Sequence, residues 1–307
     1  MIETTVNWEK AAEPPEIWEK AAGGKANFDV ASVKQDLAPP SPDTVHSNID
    51  LGFALFDTAR MARPVSASGG LFSETNHNLG EYISFAYRLW PQQTSQLQRE
   101  LPAWAVKNRY DIQARANGNP AKDQYRLMLQ SLLADRFKLA VHFETKEMRV
   151  FALVLDRPGK LGPNVRPHDK GVPCQAIAAA VASGPATIPG GFPEVCDTWV
   201  KLQPDIPPMP GSEIHVRAGA RDVPIALIAS FLGSGIGMGI DRPVVDQTRL
   251  AGTYDLVIEI PITPRSPVAN GPAFLEALKD QWGLKLNSTT APVTYLVVDH
   301  LAPPSPN

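Results

Sequence analysis

Two stretches of this 307-residue chain nearly repeat one another. Ala134–Asp156 reads ADRFKLAVHFETKEMRVFALVLD, and Lys279–Leu301 reads KDQWGLKLNSTTAPVTYLVVDHL. Each carries an acid, an aromatic, a Lys-Leu pair, a Thr and then a run of β-branched and aliphatic residues. Repetition of this kind implies that one supersecondary arrangement is built twice.

The elements around the two stretches fall in matching order. In the first half GLFSETN (Gly70–Asn76) reads as a strand, and NLGEYISFAYRLW as a helix with Leu79, Tyr82, Ile83, Ala86 and Leu89 on one stripe. RYDIQARA is a strand with Tyr110, Ile112 and Ala114 on one face. KDQYRLMLQSLLADRF is an amphipathic helix burying Tyr125, Leu129, Leu132 and Leu133, and KLAVHF with RVFALVLD reads as a hairpin. In the second half EIHVRA, the helix VPIALIASFLGS, RPVVDQT, GTYDLVIEI, the helix PAFLEALKDQW and a hairpin of LKLNST with TYLVVDHL follow the same plan. Pro224 stands near a first helical turn, where its missing N–H costs little.

Spacing supports the correspondence. Ile83/Ile228, Leu133/Leu278, Asp135/Asp280, Leu139/Leu284 and Thr145/Thr290 are each 145 residues apart, and Tyr110-Asp111 lies 144 before Tyr254-Asp255. The expected fold is α+β, with two repeated β-α-β-β-α-β-β units joined by a long Pro/Gly-rich linker. The second strand of the first unit is the least marked. Boundaries fall at 1–27 (an N-terminal tether), 28–156 (first unit, with an extra strand and a long loop), 157–212 (linker) and 213–307 (second unit). This order resembles the small N-terminal modules of secretins and TonB-dependent receptors. That resemblance implies partner or signal binding without catalytic residues, although topology alone does not give function.

Composition narrows the field. With 43% hydrophobic and 20% charged residues the chain can bury two cores. A net charge of −3 gives no electrostatic reason to expect nucleic acid or an anionic membrane surface. No apolar run reaches the roughly 18 residues of a membrane span. The start lacks an apolar signal region and instead repeats WEKAA at Trp8–Ala12 and Trp18–Ala22 around Pro14-Pro15. Either an export signal has been cut away or a larger membrane-anchored part precedes this segment. The two cysteines, Cys174 and Cys196, have no CxxC pattern and no nearby His to mark a metal site. Two free thiols are one reading; the favoured one is a disulfide formed in an oxidising compartment, tying a long loop.

Longer motifs carry a second resemblance. FDVASVK at Phe28, AWAVKNRYDIQARA, MLQSLLADRFKLAVHFETKE, RPVVDQTRLAGTYDL and GLKLNSTTAPVTYLVVDHLAPPSPN resemble a large paralogous family of acidobacterial (Solibacter-type) proteins of unknown function. Such proteins are exported, or form the outer part of BlaR-like membrane sensors. The resemblance implies a periplasmic or secreted location and favours the disulfide. It carries over no catalytic residue. The chain departs from the pattern at Arg249, where Gly is common, and at Thr253, where Arg is common, so no role rests on a basic residue at 253.

Candidate chemistry is sparse. No G-x-S-x-G, HExxH or P-loop is present. GSGIGMG (Gly233–Gly239) follows a helix and lacks nucleotide-loop spacing, so it reads as a helix end and turn. His142 and Glu144 share a strand face and could ligate a metal; a solvated face accounts for them as well. Asp43, His46 and Asp50 lie in a long acidic loop where a divalent ion such as Ca or Zn has candidate ligands, without the EF-hand pattern. Asp299 and His300 are adjacent on a strand and point to opposite faces. Asp241, Arg242 and Asp246 read as an ion pair pinning a turn.

Two functions follow. The first is an extracytoplasmic binding or sensor module without catalytic activity. It would need no cofactor and would meet a protein or small ligand between the two repeats or at an exposed strand edge. The alternative is a small-molecule hydrolase acting on esters or lactones, metal-assisted in one form, with Asp246, His300 and His142 as catalytic candidates and its site between the repeats.

Overall fold

The computed structural model describes residues 19–20, 22–41, 44–49, 69–174, 187–196, 199–202, 214–234, 240–262 and 271–304. Their first half runs β1 (Val30–Asp36), β2 (His46–Ser47), β3 (Leu71–Asn78), α1 (Leu79–Ala86), α2 (Pro91–Glu100), α3 (Ala103–Lys107), β4 (Arg109–Arg115), α4 (Lys122–Arg136) and β5 (Ala140–Leu155). Then come β6 (Val165–Pro167), β7 (Thr187–Ile188), β8 (Phe192–Pro193), β9 (Trp199–Leu202) and β10 (Ile214–Val223). The chain closes with α5 (Ile225–Leu232), β11 (Val244–Asp246), β12 (Tyr254–Ile262), α6 (Gly271–Trp282) and β13 (Leu284–His300).

Two compact units form, and they are not sequential. Lys146–Val293 belongs to one; Ala59–Thr145 and Thr294–Asn307 belong to the other, with Val6–Phe53. In the latter an antiparallel sheet has the order β1-β4-β3-β2. Val33 on β1 pairs with Ile112 on β4, and Phe72 on β3 pairs with Ala114. The apolar stripes of α1 and α4 bury Leu79, Tyr82, Ile83, Leu129, Leu133 and Phe137 in its core. A capping box starts α1. The Asn78 side chain accepts the Glu81 N–H at 3.0 Å, and the Glu81 carboxylate accepts the Asn78 N–H at 2.8 Å. Two orphan donors of the first turn are thereby satisfied. The Tyr82 hydroxyl donates to the Tyr110 carbonyl at 2.8 Å, bonding helix to sheet inside the core.

The Lys146–Val293 unit holds a sheet of order β6-β12-β10-β9. Gly219 on β10 has to be small, because a Cβ there would lie 2.5 Å from the Leu256 carbonyl. Trp282, at the end of α6, is fully buried and donates its indole N–H to the Val257 carbonyl at 2.8 Å. Trp199 packs edge-on against it at 6.2 Å. A third sheet has the order β11-β5-β13, with β11 parallel to β5. The fold is mixed α+β, with several open sheets and six helices among the described residues. No helix among them is long and apolar enough to cross a membrane.

Two expectations need correction. The two expected hairpins are single strands: β5 runs 16 residues and β13 runs 17 without a turn. The apolar runs read as separate arms are joined by ETKE in one case and TTAP in the other. Thr145, Lys146, Glu147, Thr290 and Pro292 in these segments face solvent, so the pattern breaks although the backbone stays extended. Between α1 and β4, where the first unit was expected to place a strand, the chain instead forms α2 and α3. Pro91 opens α2 at a position that suits proline.

Candidate functional site

A deeply placed polar feature is a network around Asp255, on β12, whose carboxylate is completely buried. A buried carboxylate is tolerated only when charge and hydrogen bonds replace its water. Here four groups do so. The Arg166 Nε donates at 3.1 Å, His168 Nδ1 lies at 2.7 Å, the Asp222 backbone N–H donates at 3.3 Å, and Arg221 Nε lies at 3.8 Å. β6 brings Arg166, and the residue after it brings His168, whose own N–H donates to the Thr253 carbonyl at 2.9 Å. Arg221 and Asp222 come from the bulged end of β10, where the pairing with β12 shifts between Ala220 and Val223. Asp222 adopts φ +58°, a left-handed conformation uncommon for a residue with a side chain, and this turns its N–H onto Asp255.

Arg221 extends this network to the disulfide. Cys174 and Cys196 are bonded, with Cα atoms 5.6 Å apart. The guanidinium of Arg221, fully buried, donates to the carbonyls of Val172 at 2.5 Å, Pro173 at 3.3 Å and Glu194 at 3.3 Å. It therefore grips both chain segments leading into the disulfide. The cysteines also have a histidine beside them in space. The donor atoms of His168, Cys174, Cys196 and Asp222 all lie within 4.8 Å of one another. The sequence reading of cysteines without a nearby His is thereby corrected. His168 stands only six positions before Cys174, but the turn that brings its ring back is not visible as a motif.

The hydrolase candidates occupy different settings. Asp246, ending β11, accepts the N–H and hydroxyl of Thr248 at 2.8 and 2.7 Å, which is a turn-forming role. Arg242 pairs with Asp241 and not with Asp246. His142 on β5 lies 2.9 Å from the carboxylate of Asp299 on β13, with both side chains about half exposed. The dyad excluded between Asp299 and His300 is thus made across strands with a different histidine. His300 is exposed at the end of β13. Glu144, two residues from His142, accepts the Tyr295 hydroxyl at 3.2 Å. Of the acidic-loop candidates, His46 opens β2 and donates its backbone N–H to Thr75 at 3.2 Å, while Asp43 and Asp50 lie outside the described residues.

A second buried cluster, also missed in sequence, surrounds His77. Its ring nitrogens lie 3.5 Å from Glu74 and 3.4 Å from Glu81. Burial pushes the Glu81 carboxyl up, yet the hydrogen bond and charge of His77, with Arg109 beyond, hold it below its ordinary value. On the next strand, Asp111 accepts the Asn76 backbone N–H at 3.0 Å, and Asn76 has φ +59°.

These features define a mixed α+β protein with a disulfide locked onto a buried carboxylate–guanidinium network. The chain belongs to the family described as Protein of unknown function (DUF3738), whose family model matches residues 80–301. Searches of curated proteins and of solved structures found no match.

Proposed function

We propose that this chain is an extracytoplasmic binding or sensor module, and that its partner adds to the outer edge of β1. The observation that carries this reading is the position of β1, which among the described residues ends its sheet. A large apolar side chain is exposed at each end of that strand: Val30 is 65% exposed, and Leu37, the residue after it, 86%. An edge strand can take up an incoming strand, and apolar side chains at its ends add contact area to that mode of recognition. An oxidising location is supported by the Cys174–Cys196 bond and by the investment of a buried arginine in holding it.

The internal duplication belongs to the same proposal. It is supported by paired details beyond the sequence spacing. β3 and β10 each bulge just before a helix of eight residues, and each bulge holds a left-handed residue, Asn76 or Asp222. Each of those residues gives its N–H to the Asp of a Tyr-Asp pair. α4 and α6 end against left-handed Lys138 and Gly283, and each is followed by a long strand.

A second reading is favoured by one observation, the His142–Asp299 pair with Glu144 beside it. These could orient a water or hold a divalent metal for hydrolysis of an ester or lactone. Assay of the purified protein on ester, lactone and glycoside substrates, with and without Ca²⁺ or Zn²⁺, separates the two. The binding reading expects no turnover above background. Turnover that follows the pure protein and disappears in His142→Ala, His300→Ala or Asp246→Ala overturns it.

A further inference from the structure

We infer that reduction of the Cys174–Cys196 bond converts its surroundings into a zinc site with ligands Cys174, Cys196, His168 and Asp222. The four donors already lie within 4.8 Å of one another, and two thiolates with an imidazole and a carboxylate form a tetrahedral set suited to zinc. The supporting groups are in place as well. Asp255, buried, holds His168 Nδ1 at 2.7 Å, which fixes the tautomer and leaves Nε2 as the ligating nitrogen. Such carboxylate–histidine support is the usual outer shell of a zinc-bound imidazole. Nε2 faces the Asp222 carboxylate at 3.7 Å, so these two donors already converge. Arg221 binds the carbonyls of Val172, Pro173 and Glu194, so both cysteine-bearing segments remain anchored when the sulfur–sulfur bond opens.

The chemistry balances with an external dithiol as reductant. Thiol–disulfide exchange transfers two electrons and two protons to the cystine, giving two cysteine thiols and the oxidised dithiol. Zinc then displaces the two thiol protons to form two Zn–S bonds. The site is thus closed to metal in the oxidised protein and open in the reduced one, which makes metal binding a readout of redox state.

The test is titration of the full chain, reduced anaerobically with dithiothreitol and desalted, with Co²⁺ and then Zn²⁺. One equivalent of Co²⁺ should bind with thiolate-to-cobalt charge-transfer absorption and the visible bands of a tetrahedral site, and Zn²⁺ should displace it. Oxidised protein should bind at least about 100-fold more weakly, because cystine sulfur is a poor ligand. His168→Ala and Asp222→Asn should each weaken binding at least about 10-fold, the lower end of the loss found when even a supporting group is removed. Cys174→Ser should remove the charge-transfer band. If the reduced chain loses its near-UV circular dichroism, Zn²⁺ must restore it. The inference fails if reduced protein of native circular dichroism binds no Co²⁺ or Zn²⁺. It also fails if His168→Ala binds as tightly as the parent, or if zinc does not refold a reduced chain that has unfolded.

Discussion

Asp255 accepts the backbone N–H of Asp222 at 3.3 Å, and through Asp222's neighbour Arg221 it is tied to the segments on both sides of the disulfide. This one contact links the strand bulge to the buried charge and the buried charge to the covalent tie. Removing the charge should therefore be expensive. Asp255→Asn leaves the buried Arg221 guanidinium, the partly exposed Arg166 guanidinium and a buried imidazole facing a neutral amide, and a loss of about 3–5 kcal/mol is expected. Asp111→Asn should cost less, because Asp111 is only partly buried and receives the Asn76 N–H, a bond a neutral acceptor can keep. Urea unfolding of both variants measures the difference.

Opening the disulfide while keeping the fold should cost about 3 kcal/mol for a loop of this length. Intact masses of the native and reduced protein should differ by two hydrogen atoms. The double variant Cys174→Ser/Cys196→Ser should keep its far-UV spectrum, since the core around α1 includes neither cysteine. Two alkylatable thiols in protein made under oxidising conditions would contradict the pairing.

Lys138 and Gly283 should respond in opposite directions. Lys138 sits at φ +53°, so Lys138→Gly relieves backbone strain and is expected to be neutral or stabilising by up to about 1 kcal/mol. Gly283→Ala should lose more than about 1 kcal/mol. Besides its φ of +68°, a Cβ there would lie 2.7 Å from the Gly162 backbone nitrogen. Thermal unfolding of the two variants is sufficient.

Alkaline pH should destabilise the protein through buried tyrosines. Burial, with Glu19 adding to it, pushes the Tyr87 hydroxyl up to about 12, and Tyr82 is also raised, by burial and by the charge of Glu74. A folded value above the unfolded one means the folded state retains the proton longer. Stability is therefore full below about pH 10 and falls as pH rises toward 12. Tyr87→Phe should lose less stability between pH 9 and 11 than the parent, read from urea midpoints at each pH. Tyr82→Phe should cost about 1–2 kcal/mol at neutral pH, because the Tyr110 carbonyl loses its donor.

What was legible in the sequence was the part written in periods. Leu79, Tyr82, Ile83 and Ala86, and likewise Phe274, Ala277 and Leu278, are buried as their helical spacing requires. The strands β5 and β13 were misread because exposed polar residues interrupt their apolar runs, and extended backbone leaves no mark where the side chains meet solvent. The Asp255 network was legible only in part. Tyr254-Asp255 stood out as a repeat landmark, and an acid inside the strand GTYDLVIEI is the signal that a buried partner awaits. Its partners come from two segments distant in sequence, Arg166 and His168 at and just after β6 and Arg221 on β10, and no spacing rule unites these with Asp255. Arg249 was more informative: the position where the resembling proteins carry Gly has φ +61° here.

Site-specific photo-crosslinking at Leu37 tests the binding reading most directly. The chain, expressed in its source cell, would carry a photoreactive residue at Leu37 or, as a control, at exposed Glu100 on α2. The prediction is a discrete adduct from position 37 that is absent from position 100 and disappears when Val30→Lys charges the other end of the β1 edge. Equal or absent adducts at both positions, together with substrate turnover lost in His142→Ala, would contradict the reading of this chain as a binding module.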